Sequence, residues 1–122
     1  MPENKTLMIV DDSKVSRMMI KSMVLDKTPH IDILEAADGQ EALTIAEGEN
    51  IDYFSVDYNM PVMDGIEFII KASKQHTDSK YVLLTANIQQ ATHTKAENIG
   101  AKCINKPISE SSILAMLDFF ND

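Results

Sequence analysis

Five positions in this 122-residue chain carry side chains suited to phosphate chemistry, and each sits where a short apolar run ends. Asp11 and Asp12 follow Leu7-Met8-Ile9-Val10, and Asp57 closes Phe54-Ser55-Val56-Asp57. Thr85 closes Tyr81-Val82-Leu83-Leu84-Thr85, and Lys106 follows Cys103-Ile104-Asn105 and precedes Pro107. Three carboxylates brought together repel one another, so such a site needs a shared proton or a cation. A hard divalent ion is the simplest solution. Mg²⁺ prefers oxygen ligands and keeps several waters, so one or two carboxylates, a backbone carbonyl and a substrate phosphate complete its octahedron. Asp57 is then able to attack phosphorus and become an acyl phosphate. The metal and Lys106 neutralise the phosphoryl oxygens, and the Thr85 hydroxyl donates a hydrogen bond.

These residues need a frame that brings strand ends together. Short apolar or β-branched runs alternate with stretches of helical period five times, a pattern that predicts a parallel sheet with helices on both faces. The expected strands are Thr6 to Val10, Ile31 to Ala36, Tyr53 to Asp57, Tyr81 to Thr85 and Lys102 to Asn105, each mostly apolar as a doubly covered sheet requires. The expected helices are Lys14 to Lys27, Gly39 to Glu47, Gly65 to Lys74, Ile88 to Ile99 and Glu110 to Phe120. Ser13 or Asp12 suits the first cap and Ser109 the last, while Gly48 and Gly100 suit helix C-termini. Ile113, Met116, Leu117 and Phe120 form one apolar stripe on the last helix. The fourth helix has only Ile88, Ala91, Ala96 and Ile99 to anchor it, so weak packing and freedom to move are expected there. In an open parallel sheet, ligands bind beyond the carboxyl ends of the strands where the connections reverse, which is where Asp11, Asp12, Asp57, Thr85 and Lys106 all fall.

Composition narrows the partners. Residues 1–122 are the size of one domain and, at 44% hydrophobic, can bury a core. The chain carries 11 Lys and Arg against 19 Asp and Glu, a formal charge of -8 that disfavours direct binding to DNA or RNA. Acidity is concentrated in Met1 to Glu67, with 14 acids and 5 bases, whereas Phe68 to Asp122 holds 5 acids and 6 bases. A single cysteine forms no internal disulfide, and no apolar run approaches the roughly 20 residues of a bilayer span. No membrane partner and a cytoplasmic location are therefore expected.

The combination of Asp11-Asp12, Asp57 with Met60-Pro61-Val62-Met63-Asp64-Gly65, Thr85-Ala86 and Lys106-Pro107 resembles the receiver domain of two-component response regulators. The likeness spans nearly the whole chain and extends closely to the single-domain chemotaxis (CheY-like) type. It implies a flavodoxin-like α/β fold, a five-stranded parallel sheet of order 2-1-3-4-5 with five flanking helices. It also implies phosphoryl transfer from a histidine kinase or histidine phosphotransfer protein to Asp57. Mg²⁺ would be held by Asp12, Asp57 and the backbone carbonyl of Asn59, with Asp11 assisting through water. Such a protein is a signalling phosphoacceptor rather than an enzyme acting on a separate substrate. Thr85 would draw toward the phosphoryl group and reshape the face of helix four, strand five and helix five, where an output protein binds a monomeric receiver. The resemblance further implies a cis Lys106-Pro107 bond. A phosphorelay intermediate is the alternative role.

Cys103 departs from the family pattern, which has Tyr or Phe there; a small buried hydrophobe is the simplest reading of this thiol. Asn59 and Asn87 occupy the positions where the family tunes water attack on the acyl phosphate. Taken singly, each motif has an ordinary explanation. Asp11 and Asp12 suit a helix start, Lys106 a solvated surface, Thr85 a strand, and Asp64-Gly65 a turn. Only their combination favours chemistry. His30, His76 and His93 read as isolated surface residues, Tyr58 as a rim residue. The eight methionines read as mostly core, with Met18, Met19, Met60 and Met63 as candidates for an adaptable contact. A haloacid-dehalogenase-like phosphatase requires D-x-D after strand one, but the chain has Asp11-Asp12-Ser13. A nucleotide-binding flavodoxin-like protein requires a phosphate loop that is missing there. A degenerate receiver lacks an acid, the hydroxyl or the lysine, all present here.

Overall fold

Apolar residues alternate between the two faces of every central strand, because helices cover both sides of the sheet. The computed structural model describes residues 4–86 and 89–122. Ten elements alternate: β1 (Thr6–Val10), α1 (Lys14–Lys27), β2 (Asp32–Ala36), α2 (Gly39–Ala46), β3 (Tyr53–Asp57), α3 (Gly65–Ala72), β4 (Lys80–Thr85), α4 (Gln90–Asn98), β5 (Lys102–Asn105) and α5 (Glu110–Phe120). All strands pair in parallel in the order β2-β1-β3-β4-β5. Met8, Val10, Phe54, Val56, Tyr81 and Leu83 face one core with Ala42, Ala46, Phe68, Ile69, Ala72 and Ala96 from α2, α3 and α4. Leu7, Ile9, Val82 and Leu84 face the other, with Ile20 and Val24 of α1 and Ile113, Met116, Leu117 and Phe120 of α5. The apolar stripe expected on α5 is thus the one that covers the sheet.

Local signals set the ends. Ser13 caps α1 by accepting from the Ser16 N–H, and Ser109 caps α5 by accepting from the Ser112 N–H. Gly48 and Gly100 follow their helices with φ of 78° and 82°, backbone that favours glycine. Several edges shift from expectation. Ile31 spends its N–H on a turn to the Thr28 carbonyl, so β2 starts at Asp32, whereas the Lys80 N–H bonds Asp52 and brings Lys80 into β4. α2 stops at Ala46 and α3 at Ala72, where the next bonds tighten into turns: Glu47 N–H to Thr44 and Lys74 N–H to Lys71. α4 begins at Gln90 and ends at Asn98; its expected start at Ile88 lies outside the described residues.

Three packing expectations need correction. In α4 the buried residues are Thr92 and Ala96 while Ala91 is exposed, so the inward face of the helix carries Thr92 in place of Ala91. Met60 and Met63 are core residues, whereas Met18 and Met19 are exposed on α1. His76 is half-buried rather than a surface residue, its ring 5.6 Å from that of Phe54. His30 is exposed, as expected.

Candidate functional site

In this strand order the chain runs from β1 outward to β2 and then back across to β3, so the crevice between the carboxyl ends of β1 and β3 is the switch point. Asp11 and Asp12 leave β1 there and Asp57 ends β3 there. Asp11 and Asp57 are buried and Asp12 is exposed, and one carboxylate oxygen from each lies within 4.8 Å of the others.

Asp11 is fixed from several sides. Its N–H donates to the Ala36 carbonyl at 3.1 Å, and its Oδ1 accepts the Ser13 N–H at 2.8 Å. Its carbonyl accepts from Arg17 Nη1 at 2.6 Å. Its Oδ2 is buried with no hydrogen-bond partner. A buried carboxylate oxygen left unpaired costs free energy unless a cation or proton meets it. With two further acids close by, this oxygen-rich set fits a hard divalent ion.

Lys106 reaches the same place from the end of β5. Its Nζ stands 3.0 Å from Asp57 Oδ1 and 3.8 Å from Asp11 Oδ2. The Lys106 N–H donates to the Thr85 carbonyl at 2.8 Å, so the lysine is anchored by the neighbouring strand end. Thr85 itself is buried at the tip of β4, and the Lys106-Pro107 bond is cis, as the resemblance implies. Burial is the main influence on Asp57 and lifts its carboxyl above the usual range. The Lys106 hydrogen bond opposes that lift without cancelling it, and the Asp11 charge adds to it. Asp11 is raised for the same first reason, with the Ser13 N–H pulling it partly back.

The loop after Asp57 is tied down at both ends. Tyr58 donates its N–H to the Leu84 carbonyl at 2.8 Å and accepts the Gly65 N–H at 2.9 Å. Asp64 begins α3 in a capping box with Glu67, so the expected turn is also a helix start. Asn59, whose carbonyl is the expected metal ligand, is exposed between these anchors. Asn87 lies outside the described residues.

The structure therefore brings Asp11, Asp12, Asp57 and Lys106 together, sets Thr85 beside them at the next strand end, and leaves Asn59 on the loop above. The sequence reading missed Arg17 and Glu35 and gave Gly65 no role beyond a turn and a helix start. A Cβ on Gly65 would lie 2.6 Å from the Asp57 carbonyl oxygen and 2.6 Å from Leu83 Cδ1, so α3 packs against the strand end only because that atom is missing. Arg17 and Glu35 gave no local signal, since they are 18 residues apart and meet only across α1 and β2. Cys103 is half-buried, and burial, with Glu97 second, raises its thiol, which suits an inert packing residue.

The family model for the response regulator receiver domain matches residues 7–118. The chain belongs to the response regulator receiver family. The receiver is 33% identical over 113 residues to the chemotaxis protein CheY of Listeria monocytogenes, covering 92% of this chain and 94% of that protein. It is 32% identical over 110 residues to the sensor protein EvgS of Escherichia coli K12, covering 89% of this chain but 9% of that protein. Among solved structures, the chemotaxis response regulator CheY4 of Vibrio cholerae is similar with a TM-score of 0.86 at 28% identity, covering 97% of this receiver and 99% of that chain. The CheY-like flavodoxin fold is thus the fold of this receiver. Receivers are signalling phosphoacceptors that work with histidine kinases and output proteins. Among the described residues, no helix of this one is long and apolar enough to cross a membrane.

Proposed function

We propose that residues 1–122 act as one cytoplasmic receiver that accepts a phosphoryl group on Asp57 from a phosphohistidine and switches its binding to another protein, in chemotaxis-type signalling. The observation that carries this reading is the Lys106 ammonium 3.0 Å from Asp57, beside three clustered carboxylates at the switch point. A carboxylate oxygen of Asp57 attacks phosphorus, the P–N bond to the donor imidazole breaks, and the departing ring nitrogen takes a proton from solvent. Lys106, already paired with Asp57, moves its charge onto the phosphoryl oxygens, and the Thr85 hydroxyl donates to one of them. Asp12, Asp57 and the Asn59 carbonyl would hold Mg²⁺ with Asp11 behind them; the ion supplies charge neutralisation at the transferring group.

The switching face proposed for the output protein is α4, β5 and α5. α4 has no side-chain cap at Gln89 and buries few side chains, and His93 Nε2 reaches Asn105 Oδ1 at 3.0 Å across to β5. An element held this lightly is easily repositioned. The donor is proposed to meet α1 near Asp57, where Val15, Met18 and Met19 are exposed. The likeness to a segment of a sensor protein favours a second reading, a phosphorelay intermediate that returns its phosphoryl group to a phosphotransfer histidine.

Acetyl phosphate, supplied with and without Mg²⁺ to the native chain and to Asp57→Asn, tests the reading by intact mass. One phosphoryl group should be added only with metal and only when Asp57 is present. Absence of addition to the folded native chain would overturn it. Readily reversible transfer to a phosphotransfer domain would favour the relay.

A further inference from the structure

Arg17 makes bonds that hold together more than its own helix. Its side chain is 15% exposed and joins three elements: Nη1 donates to the Asp11 carbonyl at the end of β1, and Nε pairs with Glu35 Oε1 of β2 at 3.2 Å. Lys21, one turn further along α1, meets the other oxygen of Glu35 at 3.5 Å. Glu35 is therefore held by two cations, and the guanidinium plane is fixed at one end by a carboxylate and at the other by the turn that carries Asp11 and Asp12. A planar fork of this kind holds orientation as well as charge, which a lysine does not reproduce.

We propose that Arg17, oriented by Glu35, is a positioning residue for divalent-cation binding. It fixes the backbone between β1 and α1 so that the Asp11 and Asp12 carboxylates converge on Asp57. The inference rests on reading the acidic trio as a Mg²⁺ site. Asp11 is the pivot. With its N–H, carbonyl and Oδ1 all bonded to protein, the side chain has little freedom, and its remaining oxygen faces the cluster without a hydrogen bond, the Lys106 ammonium standing 3.8 Å away. Releasing the carbonyl loosens the same peptide unit that leads directly into Asp12. The arrangement is an outer layer acting through the ligands' own backbone, the kind of support whose removal typically weakens metal binding about 10-fold to 100-fold.

The test is Mg²⁺ affinity by isothermal titration calorimetry on the full chain, together with thermal unfolding without metal. Arg17→Met should raise the Mg²⁺ Kd about tenfold in protein that is still fully folded. Arg17→Lys should fall between Arg17→Met and native, and Glu35→Gln should weaken binding without adding its full effect to that of Arg17→Met. Lys27→Met, which removes a charge from the same helix at its pair with Glu110, should leave the Kd unchanged and so controls for net charge. A folded Arg17→Met with native Kd, or a Lys27→Met that weakens binding as much, overturns the proposal. If Arg17→Met does not fold, the same judgement falls on Arg17→Lys. A native chain that binds no Mg²⁺ sinks the reading of the metal site itself, whereas native binding with unaltered variants sinks only the role of Arg17.

Discussion

The Nζ of Lys106 lies 3.0 Å from Oδ1 of Asp57, joining the last strand of the sheet to the middle one across the tip of β4. Lys106 also faces Asp11 at 3.8 Å, so one ammonium serves two buried carboxylates. Removing it leaves both acids facing each other. Lys106→Met should destabilise the metal-free protein at pH 7 by about 1–2 kcal/mol, less than for a fully buried pair because the lysine side chain is 24% exposed. Urea unfolding at pH 7 and again near pH 4.5 checks this. The deficit should shrink on acidification as the carboxyls take up protons, and a deficit that grows would contradict the electrostatic role of the ammonium.

Asp57 and Asp11 both sit above the ordinary carboxylate value of 3.8 in the folded chain, with burial as the leading cause. A carboxyl raised by folding binds its proton more tightly in the native state than in the unfolded one. Its favourable contribution is complete below 3.8 and is lost as pH rises through the raised native value. Asp57→Asn, which removes that charge, should therefore be more stable than the native chain at pH 7 without metal. The advantage should fade as pH falls toward 4. Millimolar Mg²⁺ should stabilise the native chain and bring little to Asp57→Asn, because ligand binding to the folded form adds to its stability. Urea midpoints against pH, with and without Mg²⁺, measure all three effects.

Gly65 brings the start of α3 close against the end of β3. Gly65→Ala places a methyl 2.6 Å from the Asp57 carbonyl oxygen and 3.0 Å from Tyr58 Cα, backbone atoms that cannot swing aside. The strand end or the helix start has to move, at a cost of about 1–3 kcal/mol. The same movement displaces Asp57, so phosphorylation by acetyl phosphate should slow even in protein that remains folded. Gly48→Ala, in open space with its φ of 78°, should cost stability through backbone strain alone and leave phosphorylation rate unaltered.

The pattern of doubly apolar strands made the sheet legible, because Leu7-Met8-Ile9-Val10 has no polar face to turn outward and has to be covered twice. The acids and the lysine were legible for a related reason. Charged residues directly after such runs sit at strand ends, and strand ends of a parallel sheet share one edge. What stayed hidden depends on contacts between distant residues. Arg17 and Glu35 look like ordinary surface charges until α1 is laid on β2. The helical period of α4 also misassigned Ala91 and Thr92, because its few apolar residues fix the rotation of the helix poorly, and the buried threonine has no distinctive spacing. Met60 and Met63 fall in a loop, where no period predicts which side chains turn into the core.

α4 should be less protected than α3 or α5. α3 buries Phe68, Ile69 and Ala72 and begins in a capping box, and α5 buries Ile113, Met116, Leu117 and Phe120 behind another. α4 buries Thr92 and Ala96 and has no side-chain cap, so its opening costs less of the apolar core. Amide hydrogen exchange should therefore be faster in residues 90–98 than in α3 or α5. Adding beryllofluoride with Mg²⁺, as a stand-in for the phosphoryl group on Asp57, should alter protection in α4 and β5 while leaving α2 unaltered. His93→Leu, which removes the bond to Asn105, should raise exchange in α4 before the analogue is added and reduce the change that it brings. Uniform protection across α3, α4 and α5, unmoved by the analogue, would show that this face does not respond to the site.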